Sequence, residues 1–295
     1  MNDLRQEPND LLAYWTRYDW RESFFAPGIS ILQALTAAGR TASGAGSTRE
    51  SAFRRCLGET AELHALQELD EQIDTSMVGI AAHIDAGKAQ GYAMLEAFER
   101  FAAHEWWYGR RAATQIPETW LQQIGLTSHL LQARHGAALK RRTAWWRIKT
   151  DADCPHVMIC RSMSPEGQNL ILGFGAAACP ARAARKALRE AFLMEMNLME
   201  LLAARNSGVS DPLRVVGEKI ATYGRRCPAL LPPGADWTPS WHEAAEISID
   251  GARNWFGGEA ELRDITPQGG PINVWICRPI LAHHDDDAGT GLPYL

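Results

Sequence analysis

The chain has 295 residues, 46% of them hydrophobic and 22% charged, with a formal net charge of −5 and a pI near 6.0. That length makes one large domain or two modest ones, and the mild acidity lacks the basic field that nucleic acid demands of a partner, so nucleic acid is excluded. Charges break every apolar run short of membrane-spanning length, and the opening MNDLRQEPND has no basic-then-apolar export pattern; a cytoplasmic protein without membrane contact is expected.

In chain order, residues 1–40 read as a polar, aromatic-rich lead-in, with ISILQALTAAGR from Ile29 as a strand or helix and Pro27-Gly28 as punctuation. Thr48, followed by Glu50, starts an acidic helix running to about Leu69. MVGIAAHI from Met77 reads as a strand, and Asp85 as the N-cap of a long helix carrying Glu96, Glu99 and Arg100. Residues 112–142 are expected to be mostly helical connector, with Pro117 near a helix start and the run Lys140, Arg141, Arg142 as a solvated face. TAWWRIKT follows as a strand, then HVMICRSM and NLILGFGAAA flank the turn SPEGQ as an antiparallel pair. The second arm feeds a third acidic helix, Ala181 to about Ala204. Residues 206–240, rich in Gly, Pro, Ser and Arg, read as a loop-rich cover, and INVWICRPI as a late strand bringing Arg278 to its end. His283, His284, Asp285, Asp286 and Asp287 read as a polar terminal segment in preference to a metal site. Six cysteines without C-x-x-C spacing are expected to be reduced, and Trp106-Trp107 and Trp145-Trp146 to be core anchors or the lining of a peptide groove.

An internal repeat runs through these elements. Gly79 leads Ala89 by ten positions as Gly173 leads Ala183, and an alanine then leads a glutamate by seven in Ala52 to Glu59, Ala89 to Glu96 and Ala183 to Glu190. Glu62 and Glu99 stand three residues beyond Glu59 and Glu96, on the same helix faces. Such pairs are common on solvated helices, but Glu96 and Glu99 sit among Ala93, Met94, Leu95, Ala97, Phe98, Phe101 and Ala102, a setting dressed for burial. Acids gathered in one cleft repel unless cations lie among them, and a hard divalent ion held by carboxylates and phosphate oxygens answers that need; the residues therefore point to Mg2+ and a nucleotide.

On GAGSTRESAFRRCLGETAE, AAHIDAGKAQGYAMLEAFERFAAHEWW, GFGAAACPARAARKALREAF and RDITPQGGPINVWICRPI, the chain resembles the YcaO proteins, ATP-using enzymes that modify peptide backbone amides. The resemblance runs from about residue 40 onwards, and LEAFERFAAHEWW is its most specific piece. It implies Glu59, Glu62, Glu96, Glu99 and Glu190 as Mg2+ ligands, and Arg100, Arg278 and Ser43 as contacts to ATP or its phosphates. It implies one YcaO-like domain over residues 1–295, of α/β (α+β) class, with a mixed β-sheet and a helical layer of repeated strand-helix units. It implies ATP-dependent activation of a peptide amide giving an azoline, amidine or thioamide in the biosynthesis of a ribosomally made natural product. The implied partners are a precursor peptide, a leader-peptide-binding protein, and either a flavin-dependent dehydrogenase or a sulfur-delivering protein; homo-oligomerisation is left open.

The chain departs from the family pattern at Leu63, where an arginine is usual, at Ala45, where a loop lysine is usual, and at Leu193, where a glutamine is common. These losses support a second reading, a non-catalytic scaffold or regulatory subunit of a peptide-modifying complex. A third reading is an unrelated Mg2+-dependent enzyme in which the repeat arises by chance.

Overall fold

Three strand-to-helix passages set the architecture, and each is built on small residues. The computed structural model describes residues 8–69, 73–74, 76–206, 214–234 and 255–280; His283–Asp287 and the rest of the C-terminal segment lie outside them. The elements, in chain order, are α1 (Pro8–Leu12), β1 (Trp15–Arg21), β2 (Ser30–Thr36), β3 (Thr41–Gly46), α2 (Arg49–Gln67), β4 (Gly79–His83), α3 (Ala86–Trp107) and β5 (Ala113–Gln115). There follow α4 (Glu118–Gln123), α5 (Leu126–Ala133), β6 (Arg142–Ile148), β7 (His156–Met163), β8 (Ile171–Ala177), α6 (Pro180–Asn206), α7 (Arg214–Leu230), β9 (Ala260–Asp264) and β10 (Asn273–Pro279).

The chain divides into two compact units, Met1–Glu22, Ile29–Arg100 and Ser248–Ala282 in the first, Ser23–Gly28, Phe101–Ile247 and His283–Leu295 in the second. In the first, β1-β2-β3 form one sheet, and β4-β10-β9 another in which the sequence-remote β10 lies between its neighbours. In the second, β5-β6-β7-β8 form a four-stranded sheet. The α/β class with helices laid on strands is as expected. Where a mixed sheet is expected, every pairing among the described residues is antiparallel; the paired strands are joined by short connections except β5 and β6, which α4 and α5 separate, and β4 and β10, which are remote in sequence.

Thr48 caps α2 through a reciprocal pair with Ser51, and the Asp85 carboxylate accepts the Lys88 N–H at 2.8 Å at the start of α3, both as predicted. The strands approach these helices closely. A Cβ on Gly44 would strike Ala52 and Cys56, and one on Gly175 would strike Ala183 and Ala187, helix residues eight and twelve positions ahead in both cases. A Cβ on Gly79 would strike Ala93 and Ala97, and one on Gly173 would strike Ala187 and Ala191, fourteen and eighteen ahead. Because β8 carries both patterns, all three strand-helix passages share one register.

The first unit has apolar clusters around Leu11, Leu57, Ala61, Ile80, Val274 and Ile276, and around Leu32, Ala34, Ala42 and Cys56. In the second, Trp145 donates to the Ala184 carbonyl at 3.2 Å, Trp106 to that of Leu230 at 3.0 Å and Trp146 to that of Pro232 at 2.9 Å. Trp106, Trp107, Trp145 and Trp146 are all fully buried, so they are core anchors and line no open groove. The cysteines are free, as expected, with Cys56, Cys160, Cys227 and Cys277 buried.

Two expectations are corrected. Residues 214–230 of the supposed loop-rich cover form the helix α7, whose Ile220, Tyr223 and Cys227 are buried at helical spacing; Gly217, Gly224 and Pro228 disguise that face in the sequence. The basic run before β6 is also not a uniform solvated face. Arg141 is buried, donating to the Ser162 hydroxyl at 2.9 Å and to the carbonyls of Ser162 and Asn169 at 2.9 Å and 2.8 Å.

Candidate functional site

Of the four edge strands in the first unit's two sheets, β3 in one and β4 in the other are the ones that run on into the acidic helices α2 and α3. Their unpaired N–H groups are taken by carboxylates. Ser43 donates its backbone N–H at 2.7 Å and its hydroxyl at 3.2 Å to Glu59 Oε2, from α2. Ile80 donates its N–H at 3.2 Å to Glu96 Oε2, from α3, and Ala82 donates at 2.9 Å to Glu62 Oε1, from α2. Glu59 and Glu96 each lie sixteen positions after the residue that donates to them, so the shared register delivers both acids to equivalent points. Glu62, three residues past Glu59, crosses instead to the neighbouring passage and binds the edge of β4.

The grouping is electrostatically tense. Burial pushes the Glu62 carboxyl well above the usual carboxylate range, and the charges of Glu96 and then Glu59 push it further; the Ala82 N–H and the Arg100 charge oppose the shift without cancelling it. Arg100 is placed by its own helix, donating to Glu96 Oε1 from Nη2 at 2.7 Å and from Nε at 3.2 Å, with the two side chains 26% and 32% exposed.

The other predicted residues fall as follows. Glu99 lies one turn beyond Glu96 on α3 and is half-buried. Ser43 is engaged with Glu59, which makes it an orienting group for that acid. Arg278 is exposed on β10, in register with Glu261 of β9, and Arg100 is the arginine whose charge acts on Glu62. Glu190 belongs to the second unit, on α6, with its carboxylate 3.8 Å from Arg189 and its side chain 38% exposed. Among the five expected metal ligands, Glu59, Glu62 and Glu96 are therefore drawn together within the first unit by their hydrogen bonds to β3 and β4 and by mutual charge.

Two residues escaped the sequence reading. Arg55, on α2, donates to the Ala45 carbonyl at 2.8 Å and so brings a cation to the Gly44-Ala45-Gly46 segment, which is the end of β3 and not a loop; its ten-residue separation from Ala45 gives no local signal. Glu195, on α6, is fully buried and accepts from Arg134 at 2.7 Å and from the Ser162 hydroxyl at 2.5 Å, with Arg141 Nε at 3.6 Å. An acid inside the apolar run AFLMEMNLM was its one visible trace.

A family model, described as YcaO cyclodehydratase, binding ATP and Mg2+, matches residues 67–255, well over half of the chain. The chain belongs to the YcaO family. That match holds Glu96, Glu99, Arg100 and Glu190, whereas Glu59 and Glu62 precede it and join the site through the shared strand-helix register. Solved structures of similar fold include a heterocyclase in complex with substrate and cofactor (TM-score 0.67, 14% identity, covering 92% of this chain and 52% of that one). A second is the YcaO protein from Methanopyrus kandleri bound with AMPPCP and Mg2+ (TM-score 0.60, 14% identity, 92% and 90% covered). A third is a chain of the E. coli microcin synthetase McbBCD complex with pro-MccB17 bound (TM-score 0.62, 11% identity, 97% and 98% covered). The YcaO chain spans about half the length of the heterocyclase, 52%. No curated protein matches it in sequence.

ATP and Mg2+ are the cofactors of this YcaO protein, and the acids suit them. Among the described residues no group of three or more His, Cys, Asp or Glu side chains is placed to hold a metal ion by itself. Magnesium does not ask for one, since it takes one or two carboxylates and completes its shell with phosphate oxygens and water. The repulsion that raises Glu62 is what a divalent cation would relieve. No described helix is long and apolar enough to cross a membrane.

Proposed function

We propose that this YcaO protein uses ATP to activate a backbone amide of a precursor peptide. A nucleophile, either a Cys, Ser or Thr side chain of the peptide or an external nitrogen or sulfur donor, adds to the amide carbon. The resulting oxyanion receives the terminal phosphoryl group, and departure of phosphate leaves an azoline, an amidine or a thioamide according to the nucleophile. Bound Mg2+ and ATP supply the phosphoryl group and the neutralising charge.

The chain's own contribution is positional and electrostatic, as phosphoryl transfer requires. The observation that carries the reading is the set of three glutamates from two helices, each pinned through one carboxylate oxygen by a strand-edge N–H at 2.7–3.2 Å. Main-chain donors do not swing away, so the acids keep their spacing whether or not a cation is present. Arg100 provides a guanidinium beside them, suited to a phosphate oxygen. Glu99 and Arg278 complete the proposed contacts of the first unit, Ser43 serves ATP indirectly by orienting Glu59, and Glu190 stays a ligand that the family resemblance alone implies.

The fold shared with a heterocyclase solved with substrate and cofactor, and with a chain of the microcin synthetase complex that has pro-MccB17 bound, supports a peptide substrate; a leader-binding partner and a cytoplasmic setting belong to the same proposal. A flavin-dependent dehydrogenase acting on an azoline, or a sulfur-delivering protein, fits the same chemistry. Leu63, Ala45 and Leu193 favour the alternative of a non-catalytic subunit. Calorimetric titration with ATP and Mg2+ separates the two: heat of binding at micromolar to millimolar nucleotide is expected, and its absence rejects the enzymatic reading. Glu99→Gln is expected to abolish that heat while leaving the circular dichroism spectrum unchanged; an unaltered affinity removes Glu99 from the site.

A further inference from the structure

We propose that Arg100 sets the order in which the site takes its ligands: by occupying the Glu96 oxygen that a divalent cation would use, it turns away free Mg2+ and admits the ion only with a polyphosphate that draws the guanidinium off. The proposal rests on the nucleotide reading above and deepens it.

Both oxygens of Glu96 are engaged. Oε2 accepts from the Ile80 N–H at 3.2 Å, a main-chain donor fixed by the strand, and Oε1 accepts twice from Arg100, at 2.7 Å and 3.2 Å. A cation that takes Oε1 must therefore displace Arg100, and one that approaches Oε2 must share it with the Ile80 N–H, which cannot move without the sheet. The Glu96-to-Arg100 step is four residues along α3 with the acid nearer the N-terminus, the orientation in which such a pair is stable by itself. The Arg100 charge also reaches Glu62, so it supplies counter-charge to more than one acid when no metal is present.

Free Mg2+ would bring two positive charges against a guanidinium displaced from Glu96 and only 26% exposed to water. That approach is opposed by like-charge repulsion and by the loss of a charge-assisted bond. A polyphosphate changes both terms, because its oxygens offer the planar Arg100 fork a bidentate anionic partner while its charge invites the ion. Metal and phosphate then favour one another, and the coupling must be reciprocal. The site thereby selects the metal-nucleotide complex over either component.

The test uses the full chain and Mn2+ as a paramagnetic stand-in for Mg2+, with the free ion counted by electron paramagnetic resonance, with and without a non-hydrolysable ATP analogue. For the native chain, weak binding of the metal alone and tightening by about tenfold or more with the analogue are expected, in the ordinary range of coupling between sites. Arg100→Gln should bind the metal alone about tenfold more tightly and lose most of the tightening by the analogue. Unchanged or weakened binding of the metal alone overturns the proposal. Glu96→Gln gives an independent reading should the first variant not fold: a masked carboxylate contributes nothing to free metal, so only the affinity measured with the analogue should fall. An equal loss in both arms shows Glu96 to be open and overturns the proposal. A native chain that never binds the analogue rejects the nucleotide reading instead, while the comparison of free-metal affinities still decides the role of Arg100.

Discussion

Glu62 is charged only against the opposition of its neighbours, and that leaves a measurable trace in stability. Its carboxyl is raised by burial and by Glu96 and Glu59, so the folded chain keeps a proton that the unfolded chain has already released. Linkage then makes the folded state lose stability as pH climbs from the ordinary carboxylate range up to the raised folded value, the full contribution being present only below that ordinary range. Glu62→Gln removes the titrating group. In metal-free buffer it should raise Tm at pH 8 and have little effect at pH 4, as followed by differential scanning fluorimetry; a gain confined to low pH contradicts the assigned electrostatics. Glu195, by contrast, is a buried acid whose hydrogen-bond partners, Arg134 and Ser162, are in place. Glu195→Ala strands Arg134 and Arg141 and should cost about 3–5 kcal/mol in urea unfolding. Both acids stand among apolar letters in the sequence, and nothing local distinguishes the strained one from the satisfied one; the difference lies in cations and N–H groups supplied from distant parts of the chain.

At the scale of elements, the strand-helix register is what delivers the acids, and glycine is what permits that register. Gly79→Ala would drive a methyl into the Ala93 carbonyl and the Ala97 N–H, both backbone atoms that cannot yield cheaply. Such overpacking should destabilise by about 1–3 kcal/mol and weaken nucleotide binding, since Ile80 moves with the strand. Gly91→Ala, on the same helix α3, meets nothing within 4 Å and should stabilise by about 0.5–1 kcal/mol. Guanidinium melts of the two variants side by side check the contrast, and a neutral Gly79→Ala counts against close packing as the cause of the register. Elements with strong local signals were legible: Thr48 and Asp85 at helix starts, the SPEGQ turn, with Gly167 at φ +84°, and the alternation of β10. The helix α7 was not, because two glycines and a proline dilute a buried face of only three residues.

For the whole molecule, ligand binding to the folded state must appear as stability. ATP with Mg2+ at about a hundred times Kd should add about 2.7 kcal/mol, a rise of several degrees in the melting temperature of a chain this long, and chelating the metal should remove most of it. A melting curve indifferent to ATP and Mg2+ removes the nucleotide site.

The residues alone were sufficient for the repeat, the acids it carries and the family, because each repeated passage uses the same spacing from strand to helix and spacing is preserved in the letters. Which acids meet, and what each one touches, belongs to the tertiary structure. A strand edge is left open only by the way sheets assemble, and so the N–H groups of Ser43, Ile80 and Ala82, the crossing of Glu62 to β4 and the occupation of Glu96 by Arg100 are set by packing over distances that no local pattern records.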